Sequence, residues 1–348
     1  MRKSGRFAME GNRMVDYHVH LEEGPYSFRW LERTSQAIKF FNEDEGATKG
    51  SKAFIELQMQ QLSKRLQNGC YSEEWLDLYL QQAKQLGLRE VGIVDHLYRF
   101  KETRAYFERY MQLDDNEVGR AQRYWLDCVM TESMDDFVST INRAKEKWRR
   151  HGISLKLGIE ADYFVGGEEE LASLLEGYPW DYVIGSVHFI DGWGFDNPQT
   201  QYIFEDMDAV ALQENFARFF ATVEKMIFSN MFDFVAHLDN FKVFDYQVKD
   251  TAFLDSWYER IAKALVATQT ATEINAGLYY RYPVKEMCPG PRFLQILMEH
   301  GVAFTVSSDA HFPDDLGKYT FANTALLKSY GVQTIIGFDQ RQKQAIEL

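Results

Sequence analysis

Residues 158–164, GIEADYF, end a short apolar run with two carboxylates, Glu160 and Asp162. The run from 156 to 159 reads as a buried strand. A carboxylate fixed at the mouth of such a strand points to a cationic partner, because burying a lone negative charge is costly. Six other segments, 14–18, 90–94, 181–187, 232–236, 272–274 and 304–307, have the same short apolar character. Most of them also run into polar residues of one kind. DYHVHLEE (16–23) carries His18 and His20, VDHLY (94–98) carries Asp95 and His96, and GSVHF (185–189) carries His188. VAHLDNF (235–241) carries His237 and Asp239, and SSDAHF (307–312) carries Asp309 and His311.

Six of the eight histidines therefore fall at or just past the C-terminal ends of expected strands, whereas His151 and His300 fall near expected helix ends. The intervals between the strands carry helical periodicity. Residues 205–230 repeat apolar side chains at helical spacing, 251–267 do the same, and Pro291 and Gly301 bracket a third helix. Strands alternating with helices predict a parallel α/β architecture. In a parallel barrel the C-terminal strand ends meet on one rim, which gathers residues far apart in sequence around one cavity; an open sheet would spread them along an edge. The expected fold is thus an α/β barrel of seven strands with helical insertions. Two intervals exceed a simple crossover. Residues 42–88 hold two helical runs and read as a helical insertion, and 97–152 hold aromatic-rich stretches able to wall a pocket. Residues 1–13 read as an N-terminal extension, and 14–348 as a single domain.

Composition limits the partners. Among 348 residues, 52 acidic and 38 basic side chains give a net charge of −14, which repels a nucleic-acid backbone. The basic start lacks the apolar segment of a signal peptide, and no run of about 18 to 20 apolar residues could span a bilayer. A cytoplasmic location without membrane association is expected. Cys70, Cys128 and Cys288 are too few and too scattered for a disulfide framework or a thiolate cluster.

His18 and His20 are two apart, so an extended backbone turns both imidazoles to one side. Several carboxylates sharing a cavity with them would repel one another unless cations compensate. His18, His20, Glu160, His188, His237, Asp309 and His311 together can hold more than one ion, with Glu160 placed to bridge. The mixed nitrogen and oxygen donors fit Zn, Mn or Fe better than a soft copper site. No organic cofactor is expected.

The ordered set His18-Val19-His20, His96, Glu160, His188 in GSVHF, His237 in AHLD, and Asp309-Ala310-His311 resembles the PHP (polymerase and histidinol phosphatase) family over residues 14 to 315. GSVHFIDGWGFD, AHLDNFKVF and EINAGLYYRYP point within it to the histidinol-phosphatase branch. The resemblance implies a distorted (β/α)7 TIM-like barrel and a trinuclear metal centre. His18, His20, Glu160 and Asp309 would serve one ion, and Glu160, His188 and His237 a second. His96 and His311 would hold the third with a residue of the loop after the HxH motif. That loop offers Glu22 or Glu23 where a histidine or aspartate is commoner. Lys242 and Arg281 are candidate phosphate binders, and Asp191, Trp193, Asp196 and Tyr279 candidate walls of the organic end of the pocket. The implied reaction is hydrolysis of L-histidinol phosphate to L-histidinol and phosphate, with Glu160 bridging and Asp309 or His311 carrying protons. A phosphatase or phosphodiesterase for another small phosphorylated metabolite, and a noncatalytic metal-dependent binding domain, are the alternatives.

Overall fold

The computed structural model describes residues 14–42 and 50–348; the expected extension 1–13 and residues 43–49 of the expected insertion lie outside the described residues. The strands are β1 (Val15–His20), β2 (Glu90–Val94), β3 (Ser154–Asp162), β4 (Tyr182–Ser186), β5 (Phe189–Ile190), β6 (Trp193–Gly194), β7 (Phe234–Val235), β8 (Ala271–Asn275), β9 (Phe304–Ser307), β10 (Thr334–Asp339) and β11 (Gln342–Glu347). Seven of them form one sheet in the order β1-β2-β3-β4-β7-β8-β9, and every neighbour pair is parallel. A parallel bridge between Val19 and Ala310 closes the ring, and the His20 amide donates to the Ala310 carbonyl at 2.7 Å. The chain is a distorted TIM-like barrel of the kind expected.

The strands are buried on both faces, as parallel strands under helices must be; all six residues of β1 are buried. The interior is set by bulk. Tyr182 reaches across the barrel, donates its hydroxyl to the Tyr17 carbonyl at 2.7 Å, and leaves no room for a Cβ at Gly158. That explains the glycine opening GIEAD. β7 is shorter than the apolar run 232–236 because Asp233 takes the place of a strand neighbour: its side chain accepts the Val183 amide at 2.7 Å.

The helices are α1 (Phe28–Phe41), α2 (Lys52–Asn68), α3 (Glu73–Leu86), α4 (Arg104–Tyr110), α5 (Glu117–Val129), α6 (Met134–Arg150), α7 (Glu168–Leu175), α8 (Tyr202–Glu205), α9 (Ala209–Phe228), α10 (Thr251–Thr268), α11 (Gly277–Arg281), α12 (Pro291–Glu299) and α13 (Thr320–Ser329). α6 shows how sequence makes them. Ser133 caps it by accepting the Asp136 amide, acids sit in the first turn and bases in the last, and Phe137, Ile141 and Trp148 face inward. His151 and His300 are the C-caps of α6 and α12, outside the site. α2 is unusual, for the only residue it buries is Arg65.

The 334–347 segment was not legible as strands. β10 and β11 form an antiparallel hairpin under the N-terminal end of the barrel. Phe338 on it packs against Tyr17, Tyr182 and Phe234 with ring centres 5.2–5.5 Å apart. Burying such a ring contributes roughly 1.5–3 kcal/mol. No helix among the described residues is long and apolar enough to cross a membrane.

Candidate metal centre

Glu160 stands where β3 reaches the C-terminal rim, and its carboxylate is 1% exposed. Oε1 accepts the Ser186 hydroxyl at 2.6 Å and lies 3.0 Å from His237 Nε2 and 3.5 Å from His188 Nε2. Oε2 lies 3.1 Å from Nε2 of both His18 and His20, and 2.8 Å from His96 Nδ1. Five imidazoles delivered by β1, β2, β4 and β7 thus surround one carboxylate. Asp309 Oδ1, past β9, is 4.0 and 3.9 Å from the same His18 and His20 nitrogens, and His311 Nε2 is 3.4 Å from His96 Nε2.

The donor set fits divalent cations. His18 and His20 bring their Nε2 atoms within 3.0 Å of each other, an approach that ring lone pairs avoid unless a proton or a cation lies between them. Glu160 Oε2 is buried with three ring nitrogens beside it, yet none is aligned to give it a hydrogen bond. Such an orphaned buried oxygen is what a cation completes. Three groups of ligand atoms are compact enough for an ion: His18, His20 and Glu160; His96, Glu160 and His188; and His20, His96 and His311.

The charges pull against one another. Burial would raise Glu160, but the imidazoles of His96 and His18 hold it well below the usual carboxylate range. Burial would lower His18, but Glu273, Glu160 and Asp309 hold it well above an ordinary imidazole. Burial and its neighbour His96 push His20 well down, and burial with the Arg281 guanidinium does the same to His311. His188 is pushed up to about 10: burial opposes this, but the hydrogen bond to Asp162 and the charge of Glu160 prevail.

A second layer of acids orients the rings. His188 Nδ1 donates to Asp162 Oδ1 at 2.7 Å, and His18 Nδ1 faces both oxygens of Glu273 at 3.2 Å. Glu273, fully buried in β8, also accepts the His237 amide (3.1 Å), the Asn275 side-chain amide (2.9 Å) and the Ser307 hydroxyl (2.5 Å). Sequence reading passed over Glu273, although a charged residue inside the apolar run TATEIN (270–275) was the available signal. His237 and Asp309 both adopt left-handed backbone, with φ of 23° and 53°, a costly conformation that tends to gather at functional sites.

The cluster floors a cavity of about 370 Å³ lined by Glu160, His96, His188, His237, Asp309 and His311. Its walls include Glu23, Arg29, Arg281, Asp196, Asn240 and Asn275, with Tyr98, Trp125 and Tyr282 as aromatic faces. Arg281 donates from Nη2 to Asp309 Oδ2 at 2.9 Å and from Nη1 to His311 Nδ1 at 2.6 Å. Asp196 has no cationic side chain paired with it among the described residues, and burial pushes its carboxyl up.

Four residues expected at the pocket are not on its walls. Lys242 is buried and spends its ammonium on Asp239 (2.7 Å), Glu286 (2.5 Å) and the Met287 carbonyl (3.0 Å). Trp193 is packed against Phe204 and Phe241 and donates its indole N–H to Thr200 at 3.1 Å. Asp191 sits at the exposed turn of the β5–β6 hairpin, 3.6 Å from Arg218, and Tyr279 rests edge-on to Tyr319. Glu22 and Glu23 separate as well. Glu22 is turned from the cavity toward Arg65 and Trp30, whereas Glu23 lines the cavity and pairs with Arg29 at 2.9 Å.

Comparison with known proteins agrees with the family and the fold. The PHP domain family matches residues 70–277. A "Probable histidinol-phosphatase" of Deinococcus radiodurans is 31% identical over 224 residues, covering 63% of this chain and 82% of that protein. A protein of the same description from Schizosaccharomyces pombe is 24% identical over 268 residues, covering 73% and 79%. The crystal structure of histidinol phosphate phosphatase from Lactococcus lactis, complexed with zinc, L-histidinol and phosphate, superposes with a TM-score of 0.63 at 16% identity, covering 95% of this chain and 99% of that one.

Proposed function

We propose that this chain, which belongs to the PHP domain family, hydrolyses L-histidinol phosphate to L-histidinol and inorganic phosphate. The observation that carries the reading is one buried carboxylate, Glu160, ringed by five imidazoles on the floor of a cavity that also presents Arg281. Metal-dependent phosphatase chemistry follows from family and donor set together; the substrate is the further step. His18, His20, Glu160 and Asp309 would hold one ion, Glu160, His188 and His237 a second, and His96, His311 and Glu23 a third. Zinc, manganese and iron all suit these donors. Bound divalent ions would neutralise phosphoryl oxygens and make water acidic enough to supply hydroxide near neutral pH.

The chain's own groups do the rest. Arg281 braces Asp309 and His311 and places a fixed positive charge beside the phosphoryl position. When the P–O ester bond breaks, the leaving alkoxide needs a proton, and Asp309 and His311 are the titratable pair on that wall. Asp196 supplies a carboxylate with no side-chain ion pair of its own among the described residues, suited to the ammonium of an amino alcohol, and Tyr98, Trp125 and Tyr282 give flat faces for an imidazole. Residues 14–348 act together in this reading as one catalytic domain.

The decisive assay measures kcat/KM of metal-reconstituted protein across a panel of phosphate esters that includes L-histidinol phosphate. L-histidinol phosphate should lead the panel. A clear preference for another ester would overturn the substrate, and tight metal binding with no turnover on any ester would overturn the enzyme.

A further inference from the structure

The helical insertion between β1 and β2 meets the site at Asp95, which accepts the Tyr71 hydroxyl at 2.5 Å beside His96, and at the loop Leu21-Glu22-Glu23 that follows β1. Three side chains of the insertion reach that loop or the last residue of β1. Tyr79 of α3 donates its hydroxyl to the His20 carbonyl at 2.8 Å, and Trp75 of the same helix donates its indole N–H to the Leu21 carbonyl at 2.8 Å. Arg65 of α2 donates from Nη2 to Glu22 Oε2 at 2.7 Å, with both side chains buried. Glu22 Oε1 in turn accepts the indole N–H of Trp30 and the backbone amide of Glu23, the latter at 3.2 Å. A continuous chain of contacts therefore runs from α2 through Arg65 and Glu22 to the backbone of Glu23, a residue that lines the same cavity as His96 and His311 and whose carboxylate pairs with Arg29 at 2.9 Å.

Arg65 is an expensive anchor. Its guanidinium is stacked over Trp75 at 4.5 Å and lies 5.9 Å from the Trp30 ring, and its Nε and Nη1 are buried without a hydrogen-bond partner. It is also the only residue that α2 buries. A helix docked for stability alone would bury an apolar stripe, since a buried ion pair contributes little net stability against a well-packed apolar pair. Here Leu62 packs only partly buried against the core, and Ile55, Met59 and Leu66 stay exposed, while the arginine goes inside. An under-satisfied buried charge kept at such a position marks a constraint on geometry rather than on stability.

We infer that Arg65 is a positioning residue: through Glu22 it fixes the loop that presents Glu23 to the cavity shared with His96 and His311. The inference rests on the proposed metal centre, specifically on Glu23 as a ligand. Groups that orient ligands typically change metal affinity 10–100-fold when removed.

The test compares full-length wild type with Arg65→Met, Arg65→Lys, Glu23→Gln and the double variant R65M/E23Q. Ions per chain are measured by elemental analysis after equilibration in zinc or manganese buffers of graded free concentration, with thermal unfolding of the metal-free chains alongside. R65M and E23Q should each weaken the most loosely held ion by about 10–100-fold. The double variant should be no worse than either single one, and R65K should fall between wild type and R65M. Wild-type metal affinity in R65M, no effect of E23Q, or effects of R65M and E23Q that multiply would each overturn the inference. If R65M does not fold, Glu22→Gln replaces it, and the same non-additivity with E23Q is required. The readout needs no turnover. A wild-type chain inert toward every ester but showing this pattern would overturn the phosphatase reading and leave the positioning role standing.

Discussion

Replacing Glu273 by glutamine removes a charge from behind the metal centre while keeping shape and most acceptor capacity. Oε1 takes the His237 amide and the Asn275 side chain, so an amide oxygen placed there preserves both bonds. The new NH2 then faces Ser307, whose hydroxyl can rotate from donor to acceptor. What is lost is the anion against His18 Nδ1, which fixes that ring with Nε2 toward the metal side. Losing such a partner costs about 10–100-fold in metal affinity, equivalent to about 1.4–2.7 kcal/mol. The metal-free chain loses a charge-assisted bond as well, about 1–3 kcal/mol. The sign of the pH effect is fixed by two shifts. Glu273 is held below its ordinary 4.5, so its contribution is present above that value and lost as pH falls through the depressed one. His18 is held above its ordinary 6.5, so its contribution is full below 6.5 and lost as pH rises through the elevated one. The stability gap between metal-free wild type and E273Q should therefore be widest from about pH 4.5 to 6.5 and narrow on either side. Chelator competition and urea unfolding at several pH values measure both quantities. Metal affinity within about threefold of wild type would refute the orienting role.

Glu160→Gln keeps the side-chain volume but removes the charge shared by five imidazoles; ion content per chain should drop and ester hydrolysis fall by at least about a hundredfold, both read on one preparation. Asp196→Asn should raise KM for L-histidinol phosphate about tenfold or more with a smaller change in kcat, and should leave a phosphate ester lacking the amine unaffected, which steady-state kinetics on the two esters will show. Gly277→Ala places a methyl group against the Asp309 carboxylate, so activity and metal affinity should fall while the melting temperature moves little. Lys242→Met should act on stability, because it strands Asp239 in the interior: a loss of about 3–5 kcal/mol by urea unfolding, with KM of the folded fraction unchanged.

The barrel and the core of its site were legible because both follow from a local rule. Parallel strands buried on both faces must be short apolar runs, and their C-terminal ends must share a rim, so His18, His20, His96, Glu160, His188, His237, Asp309 and His311 could be gathered without knowing any contact. The hairpin 334–347 escaped because β11 is almost wholly exposed and polar, QKQAIE, and only its partner's Phe338 reveals what it covers. Lys242, Trp193, Asp191 and Tyr279 were drawn to the pocket by nearness in sequence to true rim residues. Direction decided otherwise. Asp191 occupies the turn of a hairpin whose body packs Trp193 inward, and Asp239 captures Lys242 three residues away.

Glu22 and Glu23 show most sharply where sequence reading stops. Once β1 ends, the alternation that turned His18 and His20 to one side no longer applies, so two adjacent glutamates are equivalent on paper. Arg65, forty-three residues away, breaks the tie by taking Glu22. The choice of which carboxylate reaches the cavity is thus made by a long-range buried ion pair, whose unpaired Nε and Nη1 destabilise the fold they serve. Glu160 faces the opposite situation. It needs no distant arbiter, because β3 carries it to the rim at a position where four other strand ends deliver imidazoles, and its orphaned Oε2 calls for positive charge.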